Sequence, residues 1–239
     1  APWEFGEAVV ALCRRIRSGA AKTVVEAVRL AANALNKGRW FEHSRQVCCE
    51  WLDVMGFDFV VSKHYAQALI NLGRLDDAER VLVGALNRAA LPVLDGIDAI
   101  RDKELPEFKG LLGRLYKQRA VLFADRKWLN KAIEQYQSQY MGDPKRPYWH
   151  GINVVALMAR VAREDDADAT SYAAYAEQIL ADVTRKFRAN PADPWLAATA
   201  SEASLALAEF DQAELWLYRF MHHPKAQPFD LDSYARQLE

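Results

Sequence analysis

Residues 65–82 read Tyr65-Ala66-Gln67-Ala68-Leu69-Ile70-Asn71-Leu72-Gly73-Arg74-Leu75-Asp76-Asp77-Ala78-Glu79-Arg80-Val81-Leu82. Apolar residues recur at spacings of three and four on both sides of Gly73, the period of an amphipathic helix. Gly73 stands at the turn, because glycine enters the conformation that ends a helix at little steric cost. Ala66 and Ala78 put small side chains where two antiparallel helices cross, and Leu82 and Ala85 follow at helical spacing. The stretch therefore predicts a helix hairpin held by small and apolar inner faces.

That is the tetratricopeptide arrangement, and the pattern recurs along the chain. Ala31, Gly38, Trp40, His43 and Val47 fill equivalent slots one repeat earlier, with His43 in place of the small residue 35 positions before Ala78. Ala120, Phe123, Ala132, Tyr136 and Pro144 form a later copy, with Ala132 lying 54 positions after Ala78. The excess over one period of about 34 residues predicts an insertion. It falls at Leu91–Phe108, with Pro92, Gly96, Pro106 and five acidic residues, and reads as an acidic loop or short irregular helix. The helix Trp128–Tyr140 stops at Gly142-Asp143-Pro144. Ala198, Phe210, Ala213, Leu217 and Phe220 make the last copy, opened by Asp193-Pro194-Trp195.

One more divergent pair fits between, from Gly151 to Arg163 and from Asp168 to Arg188, around the acidic turn Glu164-Asp165-Asp166. The tail 221–239 holds His222-His223-Pro224, a helix end, and then a short polar helix suited to cap the stack. Phe57–Val61 is the one short run resembling a strand, and it flows into a helical pattern. The expectation is an all-α chain. Residues 1–239 form a single tetratricopeptide-like right-handed superhelix of about five helix pairs. The first helix of each pair makes most of its concave wall.

Composition removes several function classes. Just over half of the 239 residues are hydrophobic, enough for a sizeable core. A net charge of −1 gives no electrostatic support to general nucleic-acid binding. No apolar run approaches the roughly 20 residues that span a bilayer. The start, Ala-Pro-Trp-Glu-Phe, has neither the basic and apolar segments of a signal peptide nor an initiator Met, and reads as a piece of a longer protein. Cys13, Cys48 and Cys49 are a poor disulfide framework and point to a reducing, cytoplasmic compartment. They read as buried thiols, since a metal site on His43 and Cys48 lacks two further ligands. No Walker loop, dinucleotide fingerprint, paired-cysteine zinc spacing or nucleophile elbow occurs, so neither a cofactor nor an enzyme is expected.

Two blocks remain as candidate sites. In Gly113-Arg114-Leu115-Tyr116-Lys117, Arg114 and Lys117 share one helical face with Gln118 beside them, while Leu112, Leu115 and Leu122 turn inward. Two cations on the first helix of a pair suit a phosphate or carboxylate: Arg as a fork, Lys as a point charge. The structural alternative is a solvated face, or salt bridges to the acidic insertion. In Tyr148-Trp149-His150-Gly151-Ile152-Asn153, Pro147 halts the preceding element and Gly151 permits close backbone approach. The free amides of a helix start attract anions, and Trp149 with His150 offers a surface on which a base stacks. Here the alternative is repeat packing, with Trp149 in the core and Asn153 bonded to a neighbouring backbone. The run Trp216–Phe220 reads as core.

Taken together, the Gly113–Lys117 block, an Ala132-centred helix, Trp149-x-Gly151-Ile152-Asn153 and the apolar run Val154–Met158 carry a family resemblance. They resemble the tetratricopeptide regulatory, TRAF-binding region of the apoptosis signal-regulating kinases, and equally the bacterial tetratricopeptide sensor domains related to it. The likeness covers about Gly110 to Ala162, and Gln118 stands where that family usually has Asp. In the kinases the region is a protein-docking and autoregulatory segment. For this chain the resemblance implies a non-catalytic sensor. A small anionic, nucleotide-derived ligand would lie in a concave groove lined by Arg114, Tyr116, Lys117, Trp149, His150 and Asn153. Binding would control an attached or neighbouring effector in a stress or conflict response. The alternative expectation is a scaffold that takes a partner peptide or helix.

Overall fold

A computed structural model describes residues 2–18, 24–91, 98–142, 147–164 and 170–238, and places twelve helices among them and no strand. The chain divides into two compact units, Ala1–Ala124 and Asp125–Glu239. Each is built of helix hairpins packed as in a tetratricopeptide repeat, so the all-α repeat fold expected from the periodicity is the fold observed.

The first unit holds α1 (Pro2–Arg17), α2 (Val25–Lys37), α3 (Phe41–Met55), α4 (Phe59–Asn71), α5 (Leu75–Ala89) and α6 (Asp98–Phe123). From α2 onward each helix packs on the next, and α2, α4 and α6, the first helices of successive pairs, also pack side by side. The hairpin from which the fold was read lies as expected. Ala66, Ala78 and Leu82 are fully buried, and Gly73 has φ 73°. Phe57–Val61 is a helix start, because the Asp58 side chain accepts from the Val61 N–H at 2.9 Å and caps α4.

The earlier copy is shifted by one residue from its expected register. Arg39 takes the left-handed position (φ 64°), and Ser44, fully buried, takes the crossing position expected for His43. Both then lie 34 residues before Gly73 and Ala78. Among the described residues one turn motif recurs. The amides of Trp40, Arg74 and Glu209 reach back to the carbonyls of Leu35, Leu69 and Ser204, after a left-handed Arg39, Gly73 or Ala208. A left-handed non-glycine residue costs roughly 1–2 kcal/mol, of which glycine's greater unfolded-state freedom takes back about 0.5–1. Ala208→Gly is therefore expected to stabilise the chain by about 0.5–1 kcal/mol, read as a raised denaturant midpoint at unchanged slope. Gly73→Ala should move it the other way.

Of the two expectations for the insertion, an acidic loop or a short irregular helix, the described part follows the second. From Asp98 onward it is helix, continuous with the Gly113–Lys117 block in α6, with Pro106 inside. Residues 92–97, including Pro92 and Gly96, lie outside the described residues. Leu112 and Leu115 are buried, but Leu122 is 60 % exposed rather than inward.

The second unit holds α7 (Arg126–Gly142), α8 (Tyr148–Glu164), α9 (Thr170–Ala189), α10 (Pro194–Ala206), α11 (Phe210–Met221) and α12 (Pro228–Leu238). Helices α7 to α11 pack in sequence and α8 also meets α10. Asp193 caps α10 by accepting from the Trp195 N–H at 3.0 Å, with Pro194 in the first turn. The core gathers Tyr140, Ile152, Val155, Ile179, Val183, Trp216 and Phe220. In the run Trp216–Phe220 only those two aromatics are buried; Leu217 is half-buried and Tyr218 exposed, as helical period requires, and Phe210 is also exposed. The tail is helix α12, whose Tyr234 is buried in this core with its hydroxyl 2.9 Å from Ser201 Oγ. Asp143 and Pro144, and Asp165 and Asp166 of the expected acidic turn, lie outside the described residues. Among the described residues no helix is long and apolar enough to cross a membrane.

Candidate functional site

The first block is set by how α6 is anchored. Phe108, Leu112 and Leu115 are buried in the core with α4 and α5, which fixes the helix's rotation. Lys63 Nζ lies 2.6 Å from Glu104 Oε2, both side chains largely buried, so this acid of the insertion is paired with α4. Arg114 and Lys117, three residues apart in α6, share one helical face, both half-buried, with Gln118 next in sequence. Arg114 Nη2 donates to Asn71 Oδ1 at 2.9 Å, and Asn71 Nδ2 donates to the Gln67 carbonyl at 2.7 Å. Arg114 is thus held against α4 by a hydrogen-bonded side chain.

Tyr116 turns to the other side of α6. Its hydroxyl donates to Glu79 Oε1 of α5 at 3.1 Å, and burial, reinforced by the Glu79 charge, pushes the phenol's pKa up. Arg119, 5 % exposed, donates to Glu79 Oε2 at 2.7 Å and to Asp76 Oδ1 at 2.6 Å. Glu79 therefore positions Tyr116 and Arg119 together. Sequence reading singled out neither Glu79 nor Asn71, because their partners lie 37 and 43 residues away.

The second block opens α8. The amides of His150 and Gly151 are bonded to the Pro147 carbonyl at 3.0 and 3.4 Å, so these two amides of the helix start are already engaged. Trp149 and His150 stack, with ring centroids 3.5 Å apart and planes at 29°. His150 is fully buried and faces Tyr136 at 5.9 Å, whereas Trp149 is half-buried. Asn153 Nδ2 donates to the Trp149 carbonyl at 2.8 Å, a bond to the backbone of its own helix. The Tyr148 hydroxyl donates to Asp193 Oδ2 at 2.7 Å, tying the start of α8 to the cap of α10. Burial, then Asp193, pushes the Tyr148 phenol well up.

Gly151 is where α8 meets its neighbours. A Cβ there would sit 2.8 Å from both Ile179 Cδ1 and Tyr140 Cε2. Gly151→Ala is therefore expected to destabilise by about 1–2 kcal/mol, overpacking outweighing the roughly 1 kcal/mol gained in helix propensity. A thermal melt read at the near-ultraviolet signal of the buried aromatics checks it; an unchanged midpoint would mean that α8 does not approach α7 and α9 so closely.

The family model described as Tetratricopeptide Repeats-Sensor matches residues 39–158. The match runs from the left-handed residue of the first hairpin turn to the middle of α8, half of the chain, and contains both motif blocks. This chain belongs to the Tetratricopeptide Repeats-Sensor family. No curated protein and no solved structure matches it. As a Tetratricopeptide Repeats-Sensor domain it is a sensor-type regulatory module of helix hairpins. Within its first unit Cys13 and Cys48 sit as small buried groups, and burial pushes the Cys48 thiol up to about 12, whereas Cys49, expected to be buried as well, is half-buried with its thiol donating to Asp53 Oδ2 at 3.5 Å.

Proposed function

We propose that this sensor domain binds a small anionic, nucleotide-derived ligand and passes the event to an effector in the same or a neighbouring protein. The setting is a cytoplasmic stress or conflict response. The observation that carries the reading is the α6 face: Arg114 and Lys117 at helical spacing on one face, with Arg114 braced by Asn71, inside the family-matched segment. A guanidinium held in place loses less freedom when it closes on a phosphate. Arg114 and Lys117 contact the anion, and Tyr116, fixed by Glu79, sets the rotation of their helix. Within the second unit, Trp149, stacked on the buried His150 and with its backbone held by Asn153, is a separate candidate surface for stacking a base. The response is a shift in population between packing states of the helix hairpins, and no catalytic step is assigned.

Thermal shift over a nucleotide panel tests it. A ligand at about 100 times its dissociation constant should stabilise the fold by about 2.7 kcal/mol. That ligand-induced shift should shrink in Arg114→Ala. If no nucleotide shifts the parent chain more than it shifts Arg114→Ala, the nucleotide reading fails.

A second reading is a scaffold for a partner peptide or helix. It is favoured by α2, α4 and α6 packing side by side in the first unit, a row of first helices on which an extended peptide or a helix lies. A partner protein that co-purifies with the parent chain and is lost on Lys117→Glu decides for it.

A further inference from the structure

On its outer side α9 carries Glu177, Ala181, Arg185 and Arg188, all exposed and each about one turn from the next. This stripe is one wall of a cleft of about 710 Å³. Leu207 and Glu209, on the turn between α10 and α11, form the other wall. Leu180, half-buried, lies at its apolar middle beside Ala181. Charge runs along the stripe, with a carboxylate toward the N-terminal end, small and apolar residues in the centre, and two guanidinium groups toward the C-terminal end. Turned end for end about Ala181, its Glu177–Arg185 segment is its own complement.

We propose that this chain pairs with a second copy of itself by laying two α9 helices antiparallel along these clefts, with the two-fold axis passing at Ala181. Glu177 and Arg185 each stand four residues from that axis. Glu177 of one copy then faces Arg185 of the other, and symmetry makes the pair twice. The two copies of Glu177, like the two of Arg185, lie on opposite sides of the axis, so like charges stay apart. Alanine at the crossing lets the helices approach to the short end of the usual 8–10 Å separation. The contact covers Leu180 and Leu207, apolar groups that now border the cleft. Arg185 currently bonds Asp182 on its own helix at 2.7 Å with its side chain 76 % exposed, and exposed pairs of this kind contribute little. It can therefore turn to a partner carboxylate at small cost. An unrelated helix would need the reverse charge order to fit; a second copy has it already. A contact of this size belongs at the low end of specific interfaces, with dissociation in the range of about 1–100 µM.

Sedimentation velocity over that concentration range is the test, with charge-reversal variants at exposed positions that leave the core untouched. The parent chain should pass from monomer to dimer. Glu177→Arg alone and Arg185→Glu alone should each weaken the dimer about tenfold or more, since each places like charges opposite one another twice. An equimolar mixture of the two single variants should restore dimer near the parent affinity. One copy then carries arginine at both positions and the other glutamate at both, so every facing pair is again opposite in sign. The double variant Glu177→Arg/Arg185→Glu should dimerise by itself. A parent chain that stays monomeric overturns the proposal, and so does a dimer indifferent to the reversals or a mixture that fails to recover it.

Discussion

Phe108→Ala is expected to destabilise the first unit by about 3–5 kcal/mol, the usual cost of emptying a fully buried aromatic site. The residue lies in the stretch that reads as an acidic loop or short irregular helix, two positions after Pro106, yet its ring is fully buried among α4, α5 and α6. It meets Phe59 edge to face, with ring centroids 6.1 Å apart and planes at 69°. Pro106 has no amide to donate, and its ring crowds the preceding turn, which ordinarily costs about 3 kcal/mol in a helix interior. Burial of Phe108 and the Lys63–Glu104 pair offset that cost and hold residues 98–110 helical. Removing the ring should lower the denaturant midpoint and also open the N-terminal turns of α6, while Leu112 and Leu115 keep its C-terminal half in place. Hydrogen exchange separates the two effects: protection should fall most over residues 98–110. Phe108→Leu keeps most of the volume and should cost under about 1.5 kcal/mol. A loss below 1 kcal/mol for the alanine variant would mean that the ring is not a core contact at all.

Phe108 also shows what the sequence could and could not disclose. The helix hairpin at residues 65–82 was legible because small residues, the apolar period and glycine at the left-handed turn agree there. One repeat earlier they disagree. Gly38 was the natural choice for the turn, but the left-handed residue is Arg39. Gly38 is small for another reason: a Cβ there would sit 2.8 Å from Trp40 Cδ1. The glycine makes room for an indole, the arginine takes the strained backbone, and the register slips by one. In α6 the signal was hidden by composition. Glu104 occupies an inward position that a periodicity scan expects to be apolar, and only the fold brings Lys63 to it. The Arg114–Lys117 face was readable from spacing alone, as was the closeness of Trp149, His150 and Asn153 in one helical start. The groups that brace them were not. Asn71, Glu79 and Asp193 reach their partners across 37 to 45 residues, and no local period encodes such pairs.

Among those braces Glu79 should matter most. Its two oxygens accept from Arg119 and from Tyr116, joining α5 to α6 at the level of the candidate anion site. Arg119's side chain is 7 % exposed, and its other carboxylate partner, Asp76, is 94 % exposed. Glu79→Ala thus removes the sheltered partner and leaves a buried guanidinium to a solvated one, at an expected cost of about 3 kcal/mol. Asp76→Ala removes only the exposed partner and should cost about 0–1 kcal/mol. The contrast is the test, because simple charge counting makes the two substitutions equal. Raising the salt concentration sharpens it: the loss from Glu79→Ala should persist at 1 M salt, where surface attractions are screened within about 3 Å. Glu79→Gln keeps an acceptor for one of the two donors and should fall between. With Glu79 gone Tyr116 also loses its acceptor, so its phenol should titrate at lower pH, visible in the ultraviolet difference spectrum. Equal losses for Glu79→Ala and Asp76→Ala would mean that Arg119 is not buried, and would remove the ground for treating α6 as a fixed platform for Arg114 and Lys117.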